Sequence, residues 1–489
     1  MVKVIMDNVY TSVEGASKEL ELAIWTELSF EVEEFQQEHV KRRHLYNRKT
    51  KKTYTGLVDY IIKILEEENI EYELIDKRQK HEPNANFKLQ EFMQIGDEQV
   101  PLTFRPYQKE IVDNATEREC LQAATGAGKT FMMAALIDKF NVKPVSVFAD
   151  KLSLCTQIKE EFEKFLGIPI GIVGGGINQK EDITIYSVQS ATEEMVKDSK
   201  MIMFDECHHL PSSTMNEVAK WCSNAYYRIG VSATPWRDGG DDLLIEAVLR
   251  KRKPENSINA SKLIELGFLT PATIYFVPMK QQFKGKNYHK IYNEAIVNNE
   301  ERNKAIVTIT KKMRETRDAS VLVLIQRVEH GEKLQEELFK IYPQQSFSMT
   351  VEDPKNGKPT LVRVKNVEFL SGQDDALRRK AVIQACKERK CKILIGSTIA
   401  DEGLDIPALD VLILAGGGKS STRAFQRVGR VIRLFKDPIT GKKKERALVF
   451  DFQDYTPMLR RHARVRERLY KTEEKWDIKY LNPALLEDD

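Results

Sequence analysis

Residues 123–130 read AATGAGKT and residues 205–208 read DECH. In the first stretch the small residues Thr125, Gly126, Ala127 and Gly128 let backbone N–H groups close around phosphates at a helix N-terminus. Lys129 could then reach the β and γ phosphates of a nucleoside triphosphate, and the Thr130 hydroxyl could bind Mg²⁺. Ala123 stands where the generic GxxxxGK[ST] pattern has its first glycine, so the match is imperfect. In the second stretch Asp205 follows the apolar run Met201 to Phe204. A carboxylate at the end of a buried strand can hold the Mg²⁺ ion, and its neighbour Glu206 can polarise water for attack on the γ-phosphate. A lone Asp-Glu pair is more often a solvated turn, and His208 or His209 alone more often a satisfied side chain. The 75 residues from Thr130 to Asp205 put the two stretches at a spacing that favours ATP hydrolysis over those readings.

Taken with what lies on either side, these stretches resemble the superfamily-2 helicases, whose motifs occur here in order from residue 104 to residue 433. Phe104-Arg105-Pro106-Tyr107-Gln108 is similar to the adenine-reading Q motif, which implies base contacts from Arg105 and Gln108. Ser232-Ala233-Thr234 resembles motif III, which links ATP state to nucleic-acid grip. Gly396-Ser397-Thr398 with Glu402-Gly403-Leu404-Asp405 resembles motif V. Gln426-Arg427-Val428-Gly429-Arg430-Val431-Ile432-Arg433 resembles motif VI, with Arg430 and Arg433 as arginine fingers. The resemblance adds His208 and Gln426 to the catalytic set, Gly403 and Asp405 to the nucleotide contacts, and Ser187, Gln189, Arg237 and Thr398 to the DNA contacts. Transition-state charge on the phosphoryl group calls for such arginines, and an Arg carried on a second domain acts only when the cleft closes. A solvated basic helix face is the commoner reason for Arg at i and i+3, but it does not account for the QRxGRxxR pattern.

Elements able to position these residues follow from the apolar periodicity. From about residue 100, short apolar strands alternate with helices, which predicts parallel sheets covered on both faces. Strands are predicted at 145–149, 183–186, 201–204 and 228–231, then at 321–325, 367–369, 392–395, 411–414 and 447–450, with a second alternation starting near Thr273. The expected fold class is therefore α/β: two tandem parallel-sheet domains of the RecA-like kind that the resemblance implies, preceded by a small N-terminal α/β accessory domain. Expected boundaries are 1–92 for the accessory domain, 93–255 and 256–475 for the two motor domains, and 476–489 for a tail. Within the first region a strand at 2–6, a helix at 17–28, a hairpin turning through NRKTKK, an amphipathic helix at 57–69 and a strand at 72–75 are expected, then a polar linker at 76–86. Phe347 to Val367 reads as a second hairpin around Asn356-Gly357.

Composition bounds the remaining choices. A chain of 489 residues has room for about three domains. With 41% hydrophobic and 30% charged residues it is neither disordered nor a membrane protein, and MVKVIMDNVY lacks the apolar core of a signal peptide. A cytoplasmic location is expected. Six cysteines without a CxxC pair argue against zinc and iron-sulfur sites. The net charge of +3 hides two basic concentrations. Residues 39–54 hold Lys41, Arg42, Arg43, Arg48, Lys49, Lys51 and Lys52 with no acid, and residues 419–471 hold sixteen Lys/Arg against five Asp/Glu. Tyr46, Tyr54, His39 and His44 interleave the first run and suit stacking or wedging at a junction, although a solvated edge would look the same.

Within the superfamily, Pro235-Trp236-Arg237-Asp238-Gly239-Gly240 resembles the Arg-acid element of the XPB and UvsW branch and of restriction-type translocases. The N-terminal unit is similar to that of phage UvsW helicases at Leu28-Ser29-Phe30-Glu31, Gly56-Leu57-Val58 and Tyr72-Glu73-Leu74. The resemblance implies an ATP- and Mg²⁺-dependent enzyme acting on branched duplex DNA, with one strand in the motor groove and with replication or recombination proteins as partners. A restriction-system motor subunit and a DECH-type RNA helicase are the alternatives. The first predicts a partner or a nuclease, and no nuclease-like domain is expected in the C-terminal stretch; the second, in its RIG-I-like form, is disfavoured because no helical insertion or zinc-bearing C-terminal domain is expected here. A scaffold that only binds DNA is disfavoured by the joint presence of Lys129, Glu206 and Arg430.

Overall fold

The computed structural model describes residues 1–32, 41–95, 98–236, 241–283, 287–353, 357–397, 406–418, 421–438 and 440–482. The chain divides into two compact units, Met1–Asn259 and Ala260–Asp489. The division falls four residues beyond the expected end of the first motor domain, because Ser257–Ile258 pairs with Gln122 and Ala123 and completes the first large sheet.

The first unit opens with a four-stranded sheet in the spatial order Lys52–Tyr54, Tyr10–Glu14, Val2–Met6, Tyr72–Asp76. Val2, Val4 and Met6 alternate inward, as a half-buried strand requires. Two helices cover that face. Lys18–Glu27 begins at Ser17, whose hydroxyl accepts from Leu20 N, and carries Glu19 and Glu21 in its first turn where the helix dipole favours anions. Val58–Glu67 turns Ile61 and Leu65 inward beside buried Leu57. The expected turn through NRKTKK is present, closed by an antiparallel bridge between Asn47 and Lys52, and the strands on either side of it take different partners. Lys41–His44 pairs back onto Ser29–Val32, while Lys52–Tyr54 joins Tyr10–Glu14. Tyr46 between them is buried in the apolar cluster with Leu57, Ile61 and Leu65.

This accessory region is bonded to the helices Leu243–Val248 and Ser213–Trp221 of the motor region that follows it. A Cβ on Gly56 would strike the carbonyl oxygens of Glu246 and Ala247, so backbone meets backbone there and glycine is required. Tyr60 donates to Glu246 at 2.5 Å, Arg250 forms a two-pronged pair with Asp59 at 2.8 and 3.1 Å, and Tyr54 donates to Asn216 Oδ1 at 3.1 Å. Leu243 and Ala247 belong to the same apolar cluster as Leu57, Ile61 and Leu65. The stretch expected as a linker is pinned as well. Arg78 pairs with Asp76 at 2.7 Å and Glu117 at 2.9 Å, and the His81 ring donates from Nε2 to the Asn224 carbonyl at 2.8 Å.

An eight-stranded sheet follows, in the order 177–179, 171–174, 183–187, 145–149, 201–205, 227–232, 118–123, 257–258. Its neighbours pair in parallel except for the outermost strand, Ile177–Gln179. Parallel pairing brings the carboxyl ends of the strands to one edge, the edge at which open α/β sheets hold ligands.

The second unit is built on a seven-stranded parallel sheet in the order 367–370, 393–396, 321–324, 411–413, 447–453, 272–278, 476–480. Residues 476–480, expected in a tail, form its edge strand Trp476–Tyr480 beside Ala272–Pro278. Trp476 is buried against Phe425 and Tyr470, which holds the strand in place. The expected second hairpin is present, with Ser346–Glu352 antiparallel to Pro359–Lys365. Asn356 of its turn lies outside the described residues, and Gly357 has φ +69°. Among the described residues no helix is long and apolar enough to cross a membrane.

Candidate active site

The strand Arg118–Ala123 runs through the loop at 124–128 into the helix Lys129–Phe140. Gly126 and Gly128 take φ of +88° and +80°, a region that costs glycine little. A Cβ on Gly128 would run into Gln108 Nε2. That contact exists because the segment before the sheet reaches under the loop. Ala127 O accepts from Tyr107 Oη at 2.9 Å and from Gln108 Nε2 at 2.8 Å, and Gly126 O accepts from Arg105 Nη1 at 3.0 Å. Gln108 Oε1 in turn accepts from Arg105 N at 2.9 Å. Arg105 and Gln108, expected at an adenine base, here brace the phosphate loop. Tyr107 joins them, a role that nothing in its residue type announces.

Asp205 closes the strand Met201–Asp205, and Glu206 follows in the left-handed region at φ +50°. A non-glycine residue held there signals a turn fixed by its surroundings. The turn brings Glu206 Oε1 into a close ion pair with Lys129 Nζ. Glu206 Oε2 accepts from Ser232 Oγ at 3.0 Å and lies 3.3 Å from His208 Nδ1, which is itself 3.0 Å from Ser232 Oγ. Ser232 Oγ also accepts from Thr234 N at 3.2 Å. The segment resembling motif III is thus hydrogen-bonded to the carboxylate expected to polarise water. Ser232 belongs among the residues of the candidate site, and its sign in the sequence was its place in the segment resembling motif III.

These contacts divide the charge unequally. Burial opposes ionisation of Glu206, but Lys129 and His208 outweigh it and hold the carboxyl well below its usual range. Burial, aided by the charge of Glu206, pushes Asp205 up to about 6 against the pull of Lys129. Asp205 is therefore the carboxylate that a further cation would relieve. With the Thr130 hydroxyl in the first turn of the loop helix it offers hard oxygen donors, which suit Mg²⁺ completed by phosphate oxygens and water. The residues present fit that ion.

The other expected positions fall in several places. Ser187 and Gln189 stand at the carboxyl end of Ile183–Ser187, where Ser187 Oγ donates to Gln189 Oε1 at 2.8 Å and Gln189 Nε2 to Asp150 at 3.4 Å. In the second unit Gln426 and Arg430 lie one turn apart on the helix Ser421–Val431, and Arg433 follows it in a bridge with Leu269. Arg42, Arg43, Arg48, Lys49 and Lys52 are exposed on the accessory region. Lys51 is paired with Glu21 at 3.1 Å. The rings expected to stack on nucleic acid are committed to the fold: Tyr46 is buried, Tyr54 bonds Asn216, and His44 stacks on Trp25. Arg237, Thr398, Gly403, Asp405 and His39 lie outside the described residues, as does the side chain of Lys41.

Residues 101–237 match the family described as type III restriction enzyme, res subunit, and residues 296–435 match the helicase conserved C-terminal domain. The chain is a superfamily-2 helicase. The helicase is 26% identical to the DNA 3'-5' translocase XPB2 of Sulfurisphaera tokodaii, over 72% of its own length and 81% of that protein. It is 24% identical to the ATP-dependent DNA helicase uvsW of Enterobacteria phage T4, over 67% of its own length and 65% of that protein. A solved fragment attributed to the HsdR subunit of a type I restriction enzyme from Vibrio vulnificus shares the fold, with 17% identity, a TM-score of 0.54, and coverage of 77% of this chain and 68% of the other. The helicase has the P-loop and acidic pair that an ATP-driven motor needs.

Proposed function

We propose that this helicase is an ATP-dependent DNA translocase that remodels branched DNA by migrating junctions, regressing forks and removing D-loops or R-loops, and that it also anneals strands. The observation that carries the reading is the set of exposed cations Arg42, Arg43, Arg48, Lys49 and Lys52 on an accessory region bonded to the first motor region through Asp59 and Arg250. A duplex gripped there is held by the same body that carries the P-loop, so a motor step on one strand would move that strand relative to the held duplex. The similarity to an XPB2 translocase and a UvsW helicase supports DNA as the polymer.

In this reading Lys129 meets the β and γ phosphates of ATP, Thr130 and Asp205 hold Mg²⁺, and Glu206 polarises the attacking water with His208 beside it. Arg105 and Gln108 sense the base as well as bracing the loop. Gln426, Arg430 and Arg433 meet the phosphates from the second unit, with Gly403 and Asp405 at the nucleotide. Ser187, Gln189, Arg237 and Thr398 contact the tracked strand. The setting is the cytoplasm or nucleoid of a host cell, with replication or recombination proteins nearby.

The test is the ATPase rate with single-stranded DNA, blunt duplex, a fork, a four-way junction and RNA. A branch remodeller responds most to the fork and junction; equal stimulation by all DNAs or a preference for RNA would sink the reading. The family match at 101–237 favours a restriction-system motor as the second reading, which predicts duplex-stimulated ATPase without a branch preference.

A further inference from the structure

The helix Pro457–Tyr470 turns Leu459, Ala463, Arg466 and Tyr470 into the second unit. Arg466 is consumed there, pairing with Asp451 at 2.7 and 2.8 Å. The outward face carries Arg460, Arg461, Arg464 and Arg468, all exposed. Spacing of three and four residues stacks them in one stripe. The stripe lines a groove of about 550 Å³ that ends at Tyr455 and Gln282. Tyr455 is 55% exposed, and the Arg460 guanidinium sits 5.5 Å from its ring centre. The helix has one carboxylate, Glu467, which is occupied by Lys471 and Tyr480, each at 2.6 Å.

We infer that this groove binds a single strand of nucleic acid, with the arginine stripe on successive phosphates and Tyr455 stacked on an unpaired base. All four cations are arginines, whose planar fork matches phosphate oxygens in pairs, whereas a merely solubilising face works as well with lysine. At ~1.5 Å rise per residue the stripe from Arg460 to Arg468 is roughly 12 Å long, enough for about three nucleotides of one strand. An exposed aromatic at the end of a concave basic track favours a single strand over a duplex, whose bases are already stacked on one another. The inference rests on the proposed function for the identity of the polymer as DNA, and it gives the strand released from a branch a place on the second unit.

Arg460→Ser, Arg464→Ser and Arg468→Ser combined alter exposed side chains outside the ATP site. Binding of a labelled oligothymidylate and of a blunt duplex by the full chain is measured over a salt series, with ATPase at saturating duplex alongside. For the single strand the log–log salt slope should flatten by about 2, at ~0.7 per phosphate contact, while the duplex slope and the ATPase stay as they were. Tyr455→Ala should weaken the single strand roughly five- to hundredfold, with Tyr455→Phe restoring it, since stacking needs the ring and not the hydroxyl. An unchanged single-strand slope overturns the inference, and so does an equal flattening for duplex. An unaltered chain whose ATPase ignores branches, but whose single-strand slope still depends on these arginines, would defeat the branch-remodelling reading and leave the groove standing.

Discussion

Lys129 is ion-paired with Glu206 and not with Asp205, one residue earlier. That pair sets a positive charge against the carboxylate proposed to polarise water, so in the proposed reaction the phosphates of ATP would compete with Glu206 for Lys129. Ser232 and His208 stay on the other oxygen and keep the carboxylate in place.

Glu206→Gln should therefore keep nucleotide binding and lose turnover by roughly 10²–10⁴, the usual worth of a positioned base. Lys129→Ala should weaken nucleotide binding as well. Fluorescent-nucleotide titration and DNA-stimulated ATPase separate the two effects, and near-normal turnover in Glu206→Gln would remove Glu206 from the role.

The raised Asp205 carboxyl, at about 6, makes stability depend on pH. Between roughly pH 4, where an unfolded Asp ionises, and pH 6 the native chain holds a proton that the unfolded chain has lost. Stability from this group is thus present at low pH and declines as pH rises through 6. Asp205→Asn should lack that decline and melt higher than the parent above pH 6 without metal or nucleotide. Parallel melting profiles from pH 4 to 7 would contradict the assignment.

Replacing Arg430 or Arg433 by Ala should lower kcat on the order of 10³ while changing ATP affinity far less, if they act as fingers in the closed state. Steady-state ATPase with nucleotide titration decides it. Normal ATPase with lost DNA binding would place the helix in a nucleic-acid groove instead.

Gly56→Ala forces a methyl onto the Glu246 and Ala247 carbonyls. Overpacking of this kind costs about 1–3 kcal/mol, so the variant should melt earlier and expose the accessory region to limited proteolysis. ATPase at saturating DNA should survive, because the P-loop lies elsewhere.

Arg48→Ser, Lys49→Ser and Lys52→Ser together should flatten the salt dependence of junction binding by up to about 2.7, at ~0.9 per duplex phosphate contact. Lys51 is left in place because Glu21 already neutralises it. A salt slope equal to the parent's would reduce the run to a solvated edge.

The candidate nucleotide site was legible because its parts are contiguous: small residues beside Lys129 and Thr130, and an acidic pair after an apolar run. Its cross-links were harder to see. Tyr107 to Ala127 and Ser232 to Glu206 join separate segments, and only the folded sheet makes them neighbours. Strand Arg118–Ala123 escapes periodicity because three of its six residues are polar. Arg118 is buried by donating to the Val248 and Asn8 carbonyls, and Glu119 by accepting from Asn256 and Thr116. The turn of the basic run was legible in NRKTKK, across which Asn47 pairs with Lys52; the pairing of Lys41–His44 with Ser29–Val32 was not, because alternation marks a strand but not its partner.

All six cysteines are buried free thiols, four in the first unit and two in the second. A thiolate hidden from solvent meets an alkylating reagent only when its surroundings open. The chain thus carries its own clocks for local unfolding. Labelling of Cys120, Cys155, Cys207 and Cys222 times the opening of one unit, that of Cys386 and Cys391 the other, and ligands that steady either unit can be ranked by the delay they impose.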